Sequence, residues 1–264
     1  MLPRPGSSPP PLLQATLPLA RPLLAYVFLG IIAVLYVLTE ISGGPNRSLL
    51  MQYGANIAEA VTAGEYWRLI TANFLHWSPT HILFNGYALY SLGTQVESLF
   101  GPRRFAAIYL LSGVTGALAS YVITHGASAG ASTSIFGLFG ALAVFYYKQR
   151  KILGGASQRQ LQQLGFILLL NLILGFSPGS NIDNWGHAGG LIGGLMLAWF
   201  LVPDYVPTKP IAQSQAEILP RRARPELSNE YITDANSLAR QAFTIAVFIA
   251  AVGALTFFAV LQYQ

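Results

Sequence analysis

Asn184-Trp185-Gly186-His187-Ala188-Gly189-Gly190-Leu191-Ile192-Gly193-Gly194-Leu195-Met196-Leu197-Ala198-Trp199-Phe200 is the stretch that decides the fold. No Asp, Glu, Lys or Arg interrupts it, and carried on to 202 it is long enough or nearly long enough to cross a bilayer as a helix. Gly189, Gly190, Gly193 and Gly194 make two ridges of small residues, the pattern that lets membrane helices approach backbone to backbone. One histidine, His187, stands near the polar start of this otherwise apolar run.

The rest of the chain agrees with a lipid environment. Of 264 residues, 53% are hydrophobic and 9% charged, and the mean hydropathy is +0.49. An ordinary soluble domain is roughly a quarter charged, so a disordered chain is excluded and the balance disfavours a water-soluble globule. Further apolar runs lie at 23–39, 80–97, 104–124, 132–148, 163–177 and 241–261. The expected fold is therefore all-α, a polytopic membrane helix bundle of seven spans without an internal repeat. The chain has no Cys, which removes disulfides, thiol catalysis and Cys-based metal sites from consideration.

Between the spans, composition marks the organisation. Residues 1–22 hold seven prolines and two arginines and read as a disordered tail. Residues 23–202 read as a six-span core, 203–240 as a Pro-rich linker and 241–264 as a seventh span with the C-terminal end. The segment 40–79 is expected to carry structure of its own, and 149–162 reads as a short basic connection. Lys and Arg mark the cytoplasmic side of short loops. Thirteen of the fifteen basic residues fall on one side, including Arg4, Arg21, Arg103, Arg104, Lys148 and Arg150, while Arg47 and Arg68 fall on the other. The tail and linker are thus expected in the cytoplasm, and the net charge of +5 is a topology signal with some attraction to anionic lipid. Nucleic-acid binding is not indicated.

This topology starts spans two, four and six on the outer side, where the unusual polar residues gather. Span two opens with His81 and has Asn85 one turn on, on the same face. Span four opens with Gly130-Ala131-Ser132, and span six carries His187. Taken singly, each has a structural reading: Ser132 as a cap, and His187, His81 and Asn85 as interhelical hydrogen-bonding residues. Together they suit one chemistry. A serine hydroxyl becomes a nucleophile when a base takes its proton, and histidine titrates in the right range. The Ser132 N–H, Asn85 amide and His81 imidazole supply donors for the oxyanion of an acyl transfer. Asp183 is more simply a residue of the outer loop. Gly126-Ala127-Ser128-Ala129-Gly130 fits the G-x-S-x-G pattern, but that elbow needs a preceding strand and a following helix, and here it joins two membrane helices.

From Glu65 to Trp199 these residues resemble the rhomboid intramembrane serine proteases. Glu65-Tyr66-Trp67-Arg68 looks like the family's Trp-Arg motif, and Phe74-Leu75-His76 with His81-x-x-x-Asn85 resembles its second-span signature. Glu97 with Gly101 is similar to the inner end of that span. Gly130-Ala131-Ser132-Thr133-Ser134-Ile135-Phe136-Gly137 aligns with the Gly-x-Ser-Gly segment, and His187, Gly190 and Gly194 match the sixth span. The resemblance implies Ser132 as nucleophile, His187 as general base and acid, His81 and Asn85 as oxyanion donors, and Phe136 stacked on the catalytic histidine. It also implies a six-plus-one arrangement. Thr133 departs from the pattern, standing where a glycine usually follows the nucleophile.

The implied activity is hydrolysis of peptide bonds in or beside transmembrane helices of membrane-protein substrates in the lipid bilayer. No cofactor or metal is implied, and the oligomeric state is not indicated. Phe176-Ser177-Pro178-Gly179-Ser180 reads equally as a mobile cap over the site or as a simple turn. An Arg- and Ser-rich organelle leader is not evident, so a bacterial inner membrane is the expected location. The alternatives are a catalytically silent rhomboid-like protein that binds membrane clients, favoured by Thr133, and a transporter or channel, disfavoured by the scarcity of charge within the spans.

Overall fold

The computed structural model describes residues 19–177, 180, 182–207 and 232–263. Residues 1–18 of the expected tail, the centre of the expected linker, and Pro178 and Gly179 of the segment read as a cap or turn lie outside the described residues. Helix α1 spans Leu23–Ile41 and leads into a series of short elements. These are α2 (Arg47–Tyr53), β1 (Asn56–Ile57), α3 (Ala58–Thr62), α4 (Arg68–Thr71) and a 3-10 turn at Ala72–Phe74. The segment expected to be structured is so, and Arg68 organises it. Its side chain bonds the carbonyl oxygens of Met51 (2.6 Å) and Ala55 (3.1 Å) and pairs with Glu65 at 2.7 Å.

Helix α5 (Pro79–Ala88) passes through a π turn at Leu89–Gly93 into α6 (Thr94–Phe100). Then come α7 (Pro102–Thr124), β2 (Ala127–Ser128), α8 (Ser132–Lys148), α9 (Arg150–Leu153), α10 (Gly155–Gly175) and α11 (Asn184–Leu201). Strands β3 (Tyr205–Pro207) and β4 (Ile232–Asp234) precede the last helix, α12 (Leu238–Leu261). Two short antiparallel ladders, β1 with β2 and β3 with β4, qualify the all-α expectation without changing its class. Residues 149–162 also differ from the expected loop, because α10 begins at Gly155 rather than near 163. Its first turns are polar but rich in Gln and free of proline, so little in them opposes a helix.

Among the described residues, α1, α7 and α12 are the helices long and apolar enough, on length and composition alone, to cross a membrane. Helices α1 and α12 keep most of their surface uncovered, with Val34, Val37, Phe243, Phe257 and Phe258 exposed. So large an apolar surface is stable against lipid, not water.

Helices α7, α8 and α11 pack as a kernel held together by glycine. A Cβ on Gly190 would collide with the carbonyl of Thr133, and one on Gly194 with the carbonyl of Gly137. Thr115 on α7 donates to the carbonyl of Gly189 at 3.1 Å. The amino end of α1 is held from a distance. Pro22 offers no side-chain cap, and the buried Glu97 carboxylate accepts from the N–H groups of Leu24 (2.9 Å) and Ala25 (2.7 Å). A carboxylate there both satisfies orphan donors and suits the positive end of the helix dipole. Buried Arg104 and Asn236 tie the start of α12 to the ends of α6 and α11 through carbonyls of Phe100, Asn236, Phe200 and Val202.

Candidate active site

Ser132 is the first residue of α8, and the chain reaches it through Gly130 at φ +145°. Glycine is required there for two reasons. An L side chain is strained at this φ, and a Cβ would lie 2.6 Å from Cε1 and 2.8 Å from Nε2 of His81. The Gly130 N–H donates to the carbonyl of Ala72 at 2.9 Å, which fastens this approach to the 3-10 turn before α5.

His81 and Asn85 stand one turn apart on α5, whose amino end is capped by Ser78 accepting from the His81 N–H at 3.2 Å, with Pro79 in the first turn. Nδ1 of His81 faces the Trp77 N–H at 3.5 Å and acts as acceptor, which assigns the ring proton to Nε2, the nitrogen turned to Gly130. The amide Nδ2 of Asn85 points the same way, 3.7 Å from where a Cβ of residue 130 would be. His76, in the loop ahead of α5, sets its ring edge-on to His81 at 5.1 Å between centroids. Burial, and then the neighbouring His81, push the His76 imidazole down from 6.5 to about 3, so it is neutral at ordinary pH.

His187 lies in the first turn of α11. Asp183 caps this helix, its Oδ1 accepting from the Gly186 N–H at 2.9 Å, so the outer-loop residue of the sequence reading is an N-cap. The Nε2 of His187 is 2.8 Å from Oγ of Ser132. Its ring lies on Phe136, with centroids 4.2 Å apart and planes inclined by 13°. Phe136 is one turn beyond Ser132 on α8, so the same helix carries the hydroxyl and the platform that orients its partner. The close approach of α8 and α11 through Gly190 and Gly194 is what brings these groups, 55 positions apart, into contact.

Two cavities flank the pair. One, of about 20 Å³, lies beside Ser132 with Asn73, Gly130, Thr133 and Asp183 in its wall, and is large enough for one water. The other, of about 90 Å³, lies between α8, α10 and α11 behind His187 and is mainly apolar. The remaining serines of the segment have other partners. Ser128, on β2, accepts from Asn56 Nδ2 at 3.2 Å, and Ser134 donates to Asn73 Oδ1 at 3.2 Å. No group of three or more His, Cys, Asp or Glu suited to a metal ion occurs among the described residues.

His187 thus meets both Ser132 and Phe136, and His81 and Asn85 face the glycine two residues before the serine. Sequence reading missed Asn73, which bonds both Thr133 and Ser134. Its one signal was an amide inside the run Leu69–Leu75, which is otherwise mostly apolar.

The family model for the Rhomboid domain matches residues 63–204, more than half of the chain. Rhomboid protease GluP of Bacillus subtilis (strain 168) is 42% identical over 183 residues, covering 67% of this chain and 34% of that protein. Rhomboid-like protease 1 of Toxoplasma gondii is 30% identical, covering 60% of this chain and 55% of its own length. RHOMBOID-like protein 9, chloroplastic, of Arabidopsis thaliana is 34% identical, with 59% of this chain and 36% of the relative covered. The chain therefore spans about a third to a little over half of these relatives. On the extent of the family match, and with apolar helices of membrane-spanning length, the chain belongs to the rhomboid family and is an integral membrane protein.

Proposed function

We propose that this chain is a serine-type endopeptidase that hydrolyses peptide bonds in or next to transmembrane helices of membrane-protein substrates through a Ser132–His187 dyad. The observation that carries the reading is the 2.8 Å contact between Ser132 Oγ and His187 Nε2. In the proposed reaction Nε2 accepts the hydroxyl proton as Oγ attacks the scissile carbonyl carbon. The developing oxyanion takes hydrogen bonds from the Ser132 N–H, the Asn85 amide and Nε2–H of His81. Collapse breaks the C–N bond, and the proton on His187 passes to the leaving amine. Water, deprotonated by His187, then hydrolyses the ester on Ser132. A substrate helix hides its carbonyls in hydrogen bonds, so Gly, Pro or polar residues near the cleaved bond favour the reaction.

The proposed architecture is six spans in 23–202, namely α1, the continuous run α5–π–α6, α7, α8, α10 and α11, with α12 as a seventh. Helix α8 has 17 residues and α11 has 18, about 26–27 Å at 1.5 Å per residue. Both are shorter than the ~30 Å hydrocarbon core. In the proposed architecture their outer ends, with Ser132 and His187, lie below the membrane surface in a hollow that admits water. The amino terminus and 203–240 are assigned to the cytoplasm by the distribution of Lys and Arg. A bacterial inner membrane is in keeping with the 42%-identical bacterial relative.

The test is cleavage of a single-span substrate in liposomes by wild type, Ser132→Ala and His187→Ala. Cleavage by wild type alone supports the dyad, while cleavage by Ser132→Ala at the wild-type rate overturns it. Folded wild type that cleaves none of several delivered substrates favours the silent, client-binding reading to which Thr133 first pointed.

A further inference from the structure

We infer that Asn73 is a positioning residue for Ser132, acting through the side chain of Thr133. The inference rests on the hydrolase reading above. A side chain directly after the nucleophile needs room and, being buried, a partner for its hydroxyl. The room comes from glycines on the two facing helices. A Cβ on Gly116 would come within 2.7 Å of Thr133 Cβ, and one on Gly186 within 3.0 Å of Thr133 Cγ2. The partner is Asn73, whose Oδ1 accepts from Thr133 Oγ1 at 2.5 Å across 60 positions.

Asn73 is held so that it faces only this way. Its Nδ2 donates to the carbonyls of Leu69 (2.9 Å) and Ile70 (3.2 Å), which can only accept, so the amide cannot turn over. Oδ1 therefore faces the two hydroxyls, Thr133 and Ser134. Gly113 on α7 leaves the space, since a Cβ there would lie 2.7 Å from Oδ1.

Ser132 is thus bracketed. Before it, the Gly130 N–H bonds the carbonyl of Ala72, and after it Thr133 bonds the side chain of Asn73. Adjacent residues of one 3-10 turn hold both sides of the nucleophile, and the chain leaving that turn enters α5 with His81 and Asn85. The clamp sets the Ser132 N–H and Oγ against the two side chains proposed to bind the oxyanion. Asn73 touches no reacting atom, so its action is through alignment. A threonine at 133 in place of glycine is accommodated because residue 73 supplies the acceptor.

The experiment uses the full chain in detergent, with a fluorophosphonate probe that forms an Oγ–P bond on the serine with loss of fluoride, alongside substrate cleavage and thermal unfolding. Thr133→Val keeps the shape and loses the hydroxyl, Thr133→Ser keeps the hydroxyl, and Asn73→Leu removes the acceptor. Thr133→Val and Asn73→Leu are expected to lower probe labelling and kcat about tenfold, the scale of a small misalignment, with KM unchanged. Thr133→Ser is expected to keep the wild-type rate, and the double variant Thr133→Val/Asn73→Leu to be no slower than either single one. If Asn73→Leu does not fold, Thr133→Val against Thr133→Ser decides the question. Equal labelling of wild type and Thr133→Val overturns the positioning role while leaving the hydrolase reading intact. Folded wild type that neither labels nor cleaves overturns the hydrolase reading and this inference with it.

Discussion

Gly190 shows how little tolerance the site has at the residue scale. Its missing Cβ is replaced by the backbone of Thr133, which cannot move aside as a flexible side chain would. Gly190→Val is expected to destabilise the protein by about 3 kcal/mol through overpacking and to abolish activity by parting α8 from α11. Thermal unfolding and probe labelling check this together. Phe136→Leu keeps the apolar volume but loses the stack on His187, worth about 1 kcal/mol, so kcat is expected to fall about fivefold with KM unchanged. His76 makes a pH prediction. It is buried and neutral, held near 3 against 6.5 when unfolded, so the unfolded chain binds more protons between those values. Its contribution to stability is complete above pH 6.5 and is lost as pH falls toward 3, at up to about 1.4 kcal/mol per unit. Denaturant unfolding at pH 7 and pH 5 should show His76→Gln losing less stability on acidification than wild type does.

At the scale of elements, the site depends on how helices begin. Helices α5 and α11 have side-chain caps, Ser78 and Asp183, while α8 starts at Ser132 without one and is fastened instead by Gly130 and Thr133. Ser78→Ala is expected to cost about 1 kcal/mol and to loosen the turn that carries His81, whereas Ser78→Asp retains the cap. Unfolding curves for the two variants distinguish capping from a role of the hydroxyl in chemistry. The early start of α10 carries a related lesson. Apolarity locates the part of a helix that faces lipid, but the helix itself continues into polar residues as long as no breaker intervenes, and 155–162 contain none beyond Gly155 at the first position.

Across the molecule, distant polar groups fix how the outer helices join the kernel. Glu97 is fully buried and holds the first N–H groups of α1. Glu97→Ala leaves two donors unmet and is expected to cost about 3 kcal/mol, with Glu97→Gln costing less because one acceptor remains. Hydrogen exchange should show the loss concentrated at the start of α1. At the other end of the chain, Val252 and Val260 of α12 share an apolar cluster with Ala58, Val61 and Leu69 of the segment between α1 and α5 and with Tyr121 of α7. The last helix thereby braces the segment that carries Arg68 and Asn73.

Much of this was readable in the residues alone. Apolar runs of span length require helices in lipid, because an unpaired backbone is too costly there, and polar residues such as Ser132, His187, His81 and Asn85 stand out against such a background. Glycines spaced along 189–194 announced close contact but not with what. Only the tertiary structure decides that Gly190 meets Thr133, that Gly130 meets His81, and that Asp183 is spent on a helix cap. The Asn73–Thr133 bond was hidden for the same reason. Local pattern determines which residues must be buried or paired, whereas the partner of a buried polar atom is set by how helices far apart in sequence pack.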